Sequence, residues 1–155
     1  MSKKLIRLLF VIVIGIPAIA MSNDIPEEVL AAVKENVAAK YPDNFSIQKT
    51  LIDDQVSSYK FLQTYNPKNV PEATLAKIKE NLNVKYPHNY SIQKTLLEDQ
   101  VDSYEFLQGY VPTDVPTDVM DKLKGKFADR YPHNYSIQKT LLEDQVNSYR
   151  ELHGG

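Results

Sequence analysis

Cysteine is absent from this 155-residue chain. That excludes disulfide staples and a thiol nucleophile, so the fold is held by packing. Glycine is scarce, with five residues against nine prolines, and 43% of the chain is hydrophobic against 25% charged. That is a globular composition, not a low-complexity or disordered one. No run of basic residues occurs, and the formal charge is −2, which argues against nucleic acid or anionic lipid as a partner. HExxH, GxSxG and a Gly-rich phosphate loop are all missing, so the common hydrolase and nucleotide signatures are not available. The one long apolar run begins at Leu8 and is broken by Pro17. It is shorter than the roughly 20 residues of a membrane-spanning helix.

What that run does resemble is a leader. Lys3, Lys4 and Arg7 precede it, and Ala18-Ile19-Ala20 follows as a small-x-small site, the three parts of a secretory signal peptide. The expectation is a signal peptide over residues 1–20 and a mature α-helical domain over 21–155, periplasmic or secreted, with no stable membrane span after cleavage. Losing three basic residues and no acidic ones leaves 15 basic against 20 acidic, or −5.

The chain then repeats itself. YPHNYSIQKTLLEDQV fills residues 86–101 and again 131–146, and YPDNFSIQKTLIDDQV fills 41–56. Ile25-Pro26, Val70-Pro71 and Val115-Pro116 keep the same step of 45 residues, a period typical of repeat arrays. Each repeat reads as two helices. Proline at 26, 71 and 116 is read as the first residue of the first helix, with a narrow apolar stripe such as Leu75, Ile78 and Leu82. Tyr-Pro ends it. Asn44, Asn89 and Asn134, or the serine two residues on, cap the second helix, which runs to about Leu62, Leu107 and Leu152. The expected fold is all-α: three tandem helix-turn-helix repeats (25–69, 70–114, 115–155) stacked as a short α-solenoid or compact helical bundle, with hairpins strung loosely on Pro-containing links as the alternative.

A helical wheel over residues 90–107 puts Tyr90, Leu96, Leu97, Val101, Tyr104 and Leu107 on one broad face, with Gln93 and Gln100 in its middle. Ser91, Lys94, Thr95, Glu98, Asp99 and Asp102 fall on the other. Residues 86–104 and 131–149 are identical except for Asp102 against Asn147, whereas the first helices that precede them share only Val, Pro and two Lys. Homogenisation of the coding DNA is one explanation. The other is a repeated contact surface for a macromolecule, formed by Lys49, Thr50, Asp54, Lys94, Thr95, Glu98, Asp99, Lys139, Thr140, Glu143 and Asp144, where three weak patches act together. The central amides admit two readings as well. They bond internally and set how the hairpins dock, as buried amides usually do; or Gln48, Gln55, Tyr90, Gln93, Gln100, Tyr135, Gln138 and Gln145 line a groove for a small ligand or glycan.

Enzyme chemistry finds little footing. His88 and His133 follow Tyr-Pro in the turns, but the first repeat has Asp43 there, and metal-ligand spacing is lacking. Glu98-Asp99 and its counterparts are sequence neighbours that point about 100° apart on a helix, a poor acid–base pair. The reading is therefore of a non-enzyme with no cofactor. The pattern Y-P-x-N-[FY]-S-I-Q followed by D-Q-V-x-S-Y resembles short helical repeats of uncharacterised exported bacterial proteins. The resemblance covers about half of each repeat and implies a helical module, with no particular activity. The expected partner is a protein or other extracytoplasmic macromolecule.

Overall fold

The structure is a computed structural model, and it describes residues 25–154. The leader expected over residues 1–20 lies outside them. Six helices follow in order: α1 (Glu27–Lys40), α2 (Phe45–Thr64), α3 (Glu72–Lys85), α4 (Tyr90–Gly109), α5 (Thr117–Arg130) and α6 (Tyr135–His153). The protein is all-α, built as three tandem hairpins. No described helix is long and apolar enough to cross a membrane.

Each hairpin is closed by the same local chemistry. Pro26, Pro71 and Pro116 are the N-caps, one residue earlier than expected: φ near −56° suits a helix, but ψ near 140° does not. A cap needs only its carbonyl inside the helix, and the Pro26 carbonyl accepts from Val29 and Leu30 N–H at 3.0 Å. Acidic residues open these helices and Lys40, Lys85 and Arg130 close them, matching the helix dipole. Tyr41, Tyr86 and Tyr131 are the C-caps. The second helices start after Asn44, Asn89 and Asn134, whose side chains accept from the Ile47, Ile92 and Ile137 N–H groups. They extend to Thr64, Gly109 and His153, one or two residues past the expected ends, and Gly154 stops α6 in the left-handed region at φ 76°.

The turn residues Asp43, His88 and His133 have φ of 62°, 58° and 60°. Asp and His are among the few non-glycine types enriched at positive φ, which accounts for their exchange between repeats without any shared chemistry. His88→Gly should therefore leave the protein as stable or up to about 1 kcal/mol more stable, and His88→Val should destabilise it. Thermal unfolding of both variants checks this.

The hairpins pack on one another. Helices α2, α4 and α6 adjoin in series, and α1, α3 and α5 each lie mainly on their own second helix, as their narrow stripes suggested. Successive second helices are staggered. The Tyr59 ring meets the Tyr90 ring edge-on at 5.0 Å, and Tyr104 meets Tyr135 at 5.1 Å. The first turn of α4 thus sits beside the later half of α2, a shift of roughly ten or more residues, or about 15 Å or more. Burial follows that stagger. Leu97, Val101, Leu142 and Val146 are buried, but their first-repeat counterparts Ile52 and Val56 are only partly so. Leu62 and Leu107 are 8% and 7% exposed, covered by the hairpin that follows.

The divergent first helices keep one further docking device. Lys79 Nζ donates to the Leu62 and Tyr65 carbonyls at 2.8 and 3.0 Å, and Lys124 does the same to Leu107 and Tyr110 at 2.8 and 2.9 Å. A lysine satisfying the last carbonyls of a preceding helix is a C-cap supplied from another hairpin. Burial lowers the Lys79 pKa.

Candidate functional site: the repeated second-helix face

The six central glutamines divide into two structural sets. Gln48, Gln93 and Gln138 each donate from Nε2 to the carbonyl of Tyr41, Tyr86 or Tyr131 at 2.7 Å. This ties the second helix to the end of the first. Gln55 acts between repeats. Its Oε1 accepts from Tyr90 and Ser91 N–H at 2.6 and 3.2 Å, and its Nε2 donates to Asn89 Oδ1 and Ser91 Oγ at 3.3 and 3.1 Å. Gln100 repeats the arrangement on Tyr135, Ser136 and Asn134 at 2.7, 3.5 and 3.3 Å. A helix N-terminus has four N–H groups without intrahelical partners; here the preceding hairpin takes two of them. Gln145 is exposed and reaches only its neighbour Asp144, at 3.4 Å.

Tyr90 and Tyr135, the aromatic members of the ligand-groove reading, pack edge-on against the preceding hairpin, and burial raises both phenol pKa values. Tyr65 is raised by burial and by the nearby carboxylates of Asp102, Glu98 and Glu105. Between the hairpins lie two equivalent open clefts of about 370 and 400 Å³. One is lined by Asn36, Lys40, Tyr41 and Gln55 with the His88 turn, the other by Asn81, Lys85, Tyr86 and Gln100 with the His133 turn.

The lysines of the supposed solvated face lie elsewhere than the helical wheel places them. Lys94 and Lys139 are half-buried, with their ammonium groups 4.8 and 4.9 Å from the Phe61 and Phe106 ring centres of the preceding hairpin. This is a cation–π contact. The wheel treats one helix alone and omits the neighbour that covers this edge. Lys49 lies in the first described hairpin; it is exposed and pairs with Asp53 at 2.6 Å, which raises its pKa. Glu98 and Glu143 are half-buried.

What stays in solvent at every repeat is narrower. Thr50, Thr95 and Thr140 are exposed, each with its hydroxyl donating to the carbonyl four residues back at 3.0–3.1 Å. Asp54, Asp99 and Asp144 are exposed as well. Ile47, Ile92 and Ile137, which the wheel did not assign, are each 40% exposed. Ile, Thr and Asp stand at i, i+3 and i+7, so they form one stripe on each second helix. That spacing was the available signal for the isoleucines. The stripe offers an apolar anchor, a hydroxyl with free lone pairs and a carboxylate. It contains no nucleophile–base pair. Among the described residues no group of three side chains is placed to hold a metal ion.

Comparison with known proteins finds no matching family model, curated protein or solved structure. The class is therefore defined by the fold itself, an all-helical array of three tandem hairpins.

Proposed function

We propose that this chain is an exported, non-enzymatic repeat protein that binds another macromolecule in the periplasm or outside the cell. The contact surface is the Ile-Thr-Asp stripe of the second helices: Ile47, Thr50 and Asp54, then Ile92, Thr95 and Asp99, then Ile137, Thr140 and Asp144. One observation carries this reading. The stripe is exposed and identical at all three levels, and among the described residues its threonine and aspartate side chains form no hydrogen bond or ion pair with another hairpin. Surface positions without partners ordinarily tolerate change, so identity there is accounted for by a partner.

Three weak patches on one scaffold bind by avidity. Reversing Asp54, Asp99 and Asp144 together to Lys should leave the helical circular dichroism unchanged and abolish retention of a partner from the source's envelope or medium. A single reversal should weaken retention about tenfold or less. Equal retention by native and triple-variant protein, or none by the native protein, rejects the reading.

A further inference from the structure

Each hairpin carries two different docking faces. The leading face comprises the first turns of the second helix with the lysine of the first: Tyr90, Lys94, Leu97 and Lys79 in repeat two. The trailing face lies on the later half of the second helix: Gln55, Tyr59, Phe61 and Leu62 in repeat one. The leading faces of repeats two and three are occupied by the trailing faces of repeats one and two. Among the described residues two faces are left uncovered. At one end Phe45 is 74% exposed, where its counterpart Tyr90 is 8% exposed, and Lys34 is exposed where Lys79 caps a helix. Among the described residues no glutamine reaches the Phe45 and Ser46 N–H groups. At the other end Gln145 caps no helix, and Leu152 is 81% exposed where Leu62 and Leu107 are buried.

We propose that these two faces bind each other, so that a second copy of this chain docks its first hairpin on the third hairpin of the one before. The unused groups match one to one. Gln145 meets the free Phe45 and Ser46 N–H groups, Tyr149 meets the Phe45 ring, and Lys34 meets the last carbonyls of α6. Phe45 stands where the internal junctions have Tyr90 and Tyr135, Gly155 where they have Tyr65 and Tyr110, and a further substitution lies beneath the lysine. Repeats one and two place Phe61 and Phe106 under Lys94 and Lys139, but the third has Glu151. Lys49 of the next copy would lie over Glu151, replacing a cation–π contact with an ion pair. The junction thus has charge complementarity and continues an interface the chain already forms twice. Joining unlike faces is heterologous, and such contacts extend into filaments or close into rings. The residues assigned to this junction are not those of the Ile-Thr-Asp stripe, although the stripe borders the clefts between hairpins through Ile92 and Asp99.

Sedimentation velocity of the purified protein over a range of concentrations tests the proposal. Native protein is expected to form a concentration-dependent series extending past dimer. Lys49→Glu and Glu151→Lys each set like charges against one another at the junction and should weaken association about tenfold. An equimolar mixture of the two variants restores opposite charges at both kinds of junction and should recover the native series. Leu152→Asp should also block assembly, with circular dichroism confirming its fold. Reversing Asp54, outside the residues assigned to this junction, should leave the series unchanged. A native protein that stays monomeric at every concentration, an assembly that stops at a two-fold dimer, or a mixture that fails to recover overturns the proposal.

Discussion

Leu97→Ala is expected to destabilise the protein by about 2–5 kcal/mol, the range for truncating a fully buried leucine. Leu97 is 0% exposed and belongs to the cluster formed by hairpins one and two. Its side chain is enclosed by its own hairpin and by the preceding one, so the cavity left by truncation cannot collapse from a single side. Domains of this size are stable by only about 5–15 kcal/mol, so the loss is a large fraction of the total. The repeats supply an internal control. Ile52 occupies the same place in repeat one, is only partly buried, and should cost roughly half as much on change to Ala, since less area leaves water there. Urea unfolding of both variants measures the difference through the midpoint. Leu97→Ala costing less than about 1 kcal/mol, or no more than Ile52→Ala, would show that packing between hairpins does not close that site.

Gln100→Ala should cost about 1–3 kcal/mol, although it removes little apolar surface. The Gln100 amide caps α6 through the Tyr135 N–H at 2.7 Å and steadies the Asn134 cap at 3.3 Å. Its removal takes away a helix cap, worth about 1 kcal/mol, and leaves a part-buried donor without a partner. Gln145 has the same place in an almost identical helix but touches only Asp144, so Gln145→Ala should change monomer stability by about 0.5 kcal/mol or less. Gln100→Glu should recover part of the loss. A carboxylate still accepts from the Tyr135 N–H and sits at the positive end of the α6 dipole, but it cannot donate to Asn134. Hydrogen exchange at Tyr135 gives a direct reading: faster in Gln100→Ala, unchanged in Gln145→Ala. Equal effects of the two alanine variants would mean that these amides do not couple the hairpins.

Both experiments bear on the thrice-written string. Part of its identity is explained by docking: Gln93, Gln100, Lys94 and Leu97 each hold one hairpin to its own first helix or to a neighbour. Among the few residues kept between the first helices of repeats two and three, Lys79 and Lys124 serve the same purpose. The remaining identity, at Thr95 and Asp99 and their copies, has no such account, and the proposed binding stripe rests on it.

The sequence by itself determined what is local and periodic. The 45-residue step, the helix pairs, the Asn caps and the Gly154 stop follow from short-range rules of spacing and backbone preference, and each appears in the structure within one or two residues. Tertiary structure alone decided which residues of the second helix are free. That depends on the stagger between successive hairpins, which brings Gln55 to the start of α4 and Phe61 beneath Lys94. Helical periodicity records which residues share a face, but not where along its length a neighbouring helix begins. The wheel therefore placed Lys94 in solvent, because that position is settled by a ring on a partner helix more than thirty residues away in the chain, whereas the exposed Ile92 was legible in its spacing to Thr95 and Asp99.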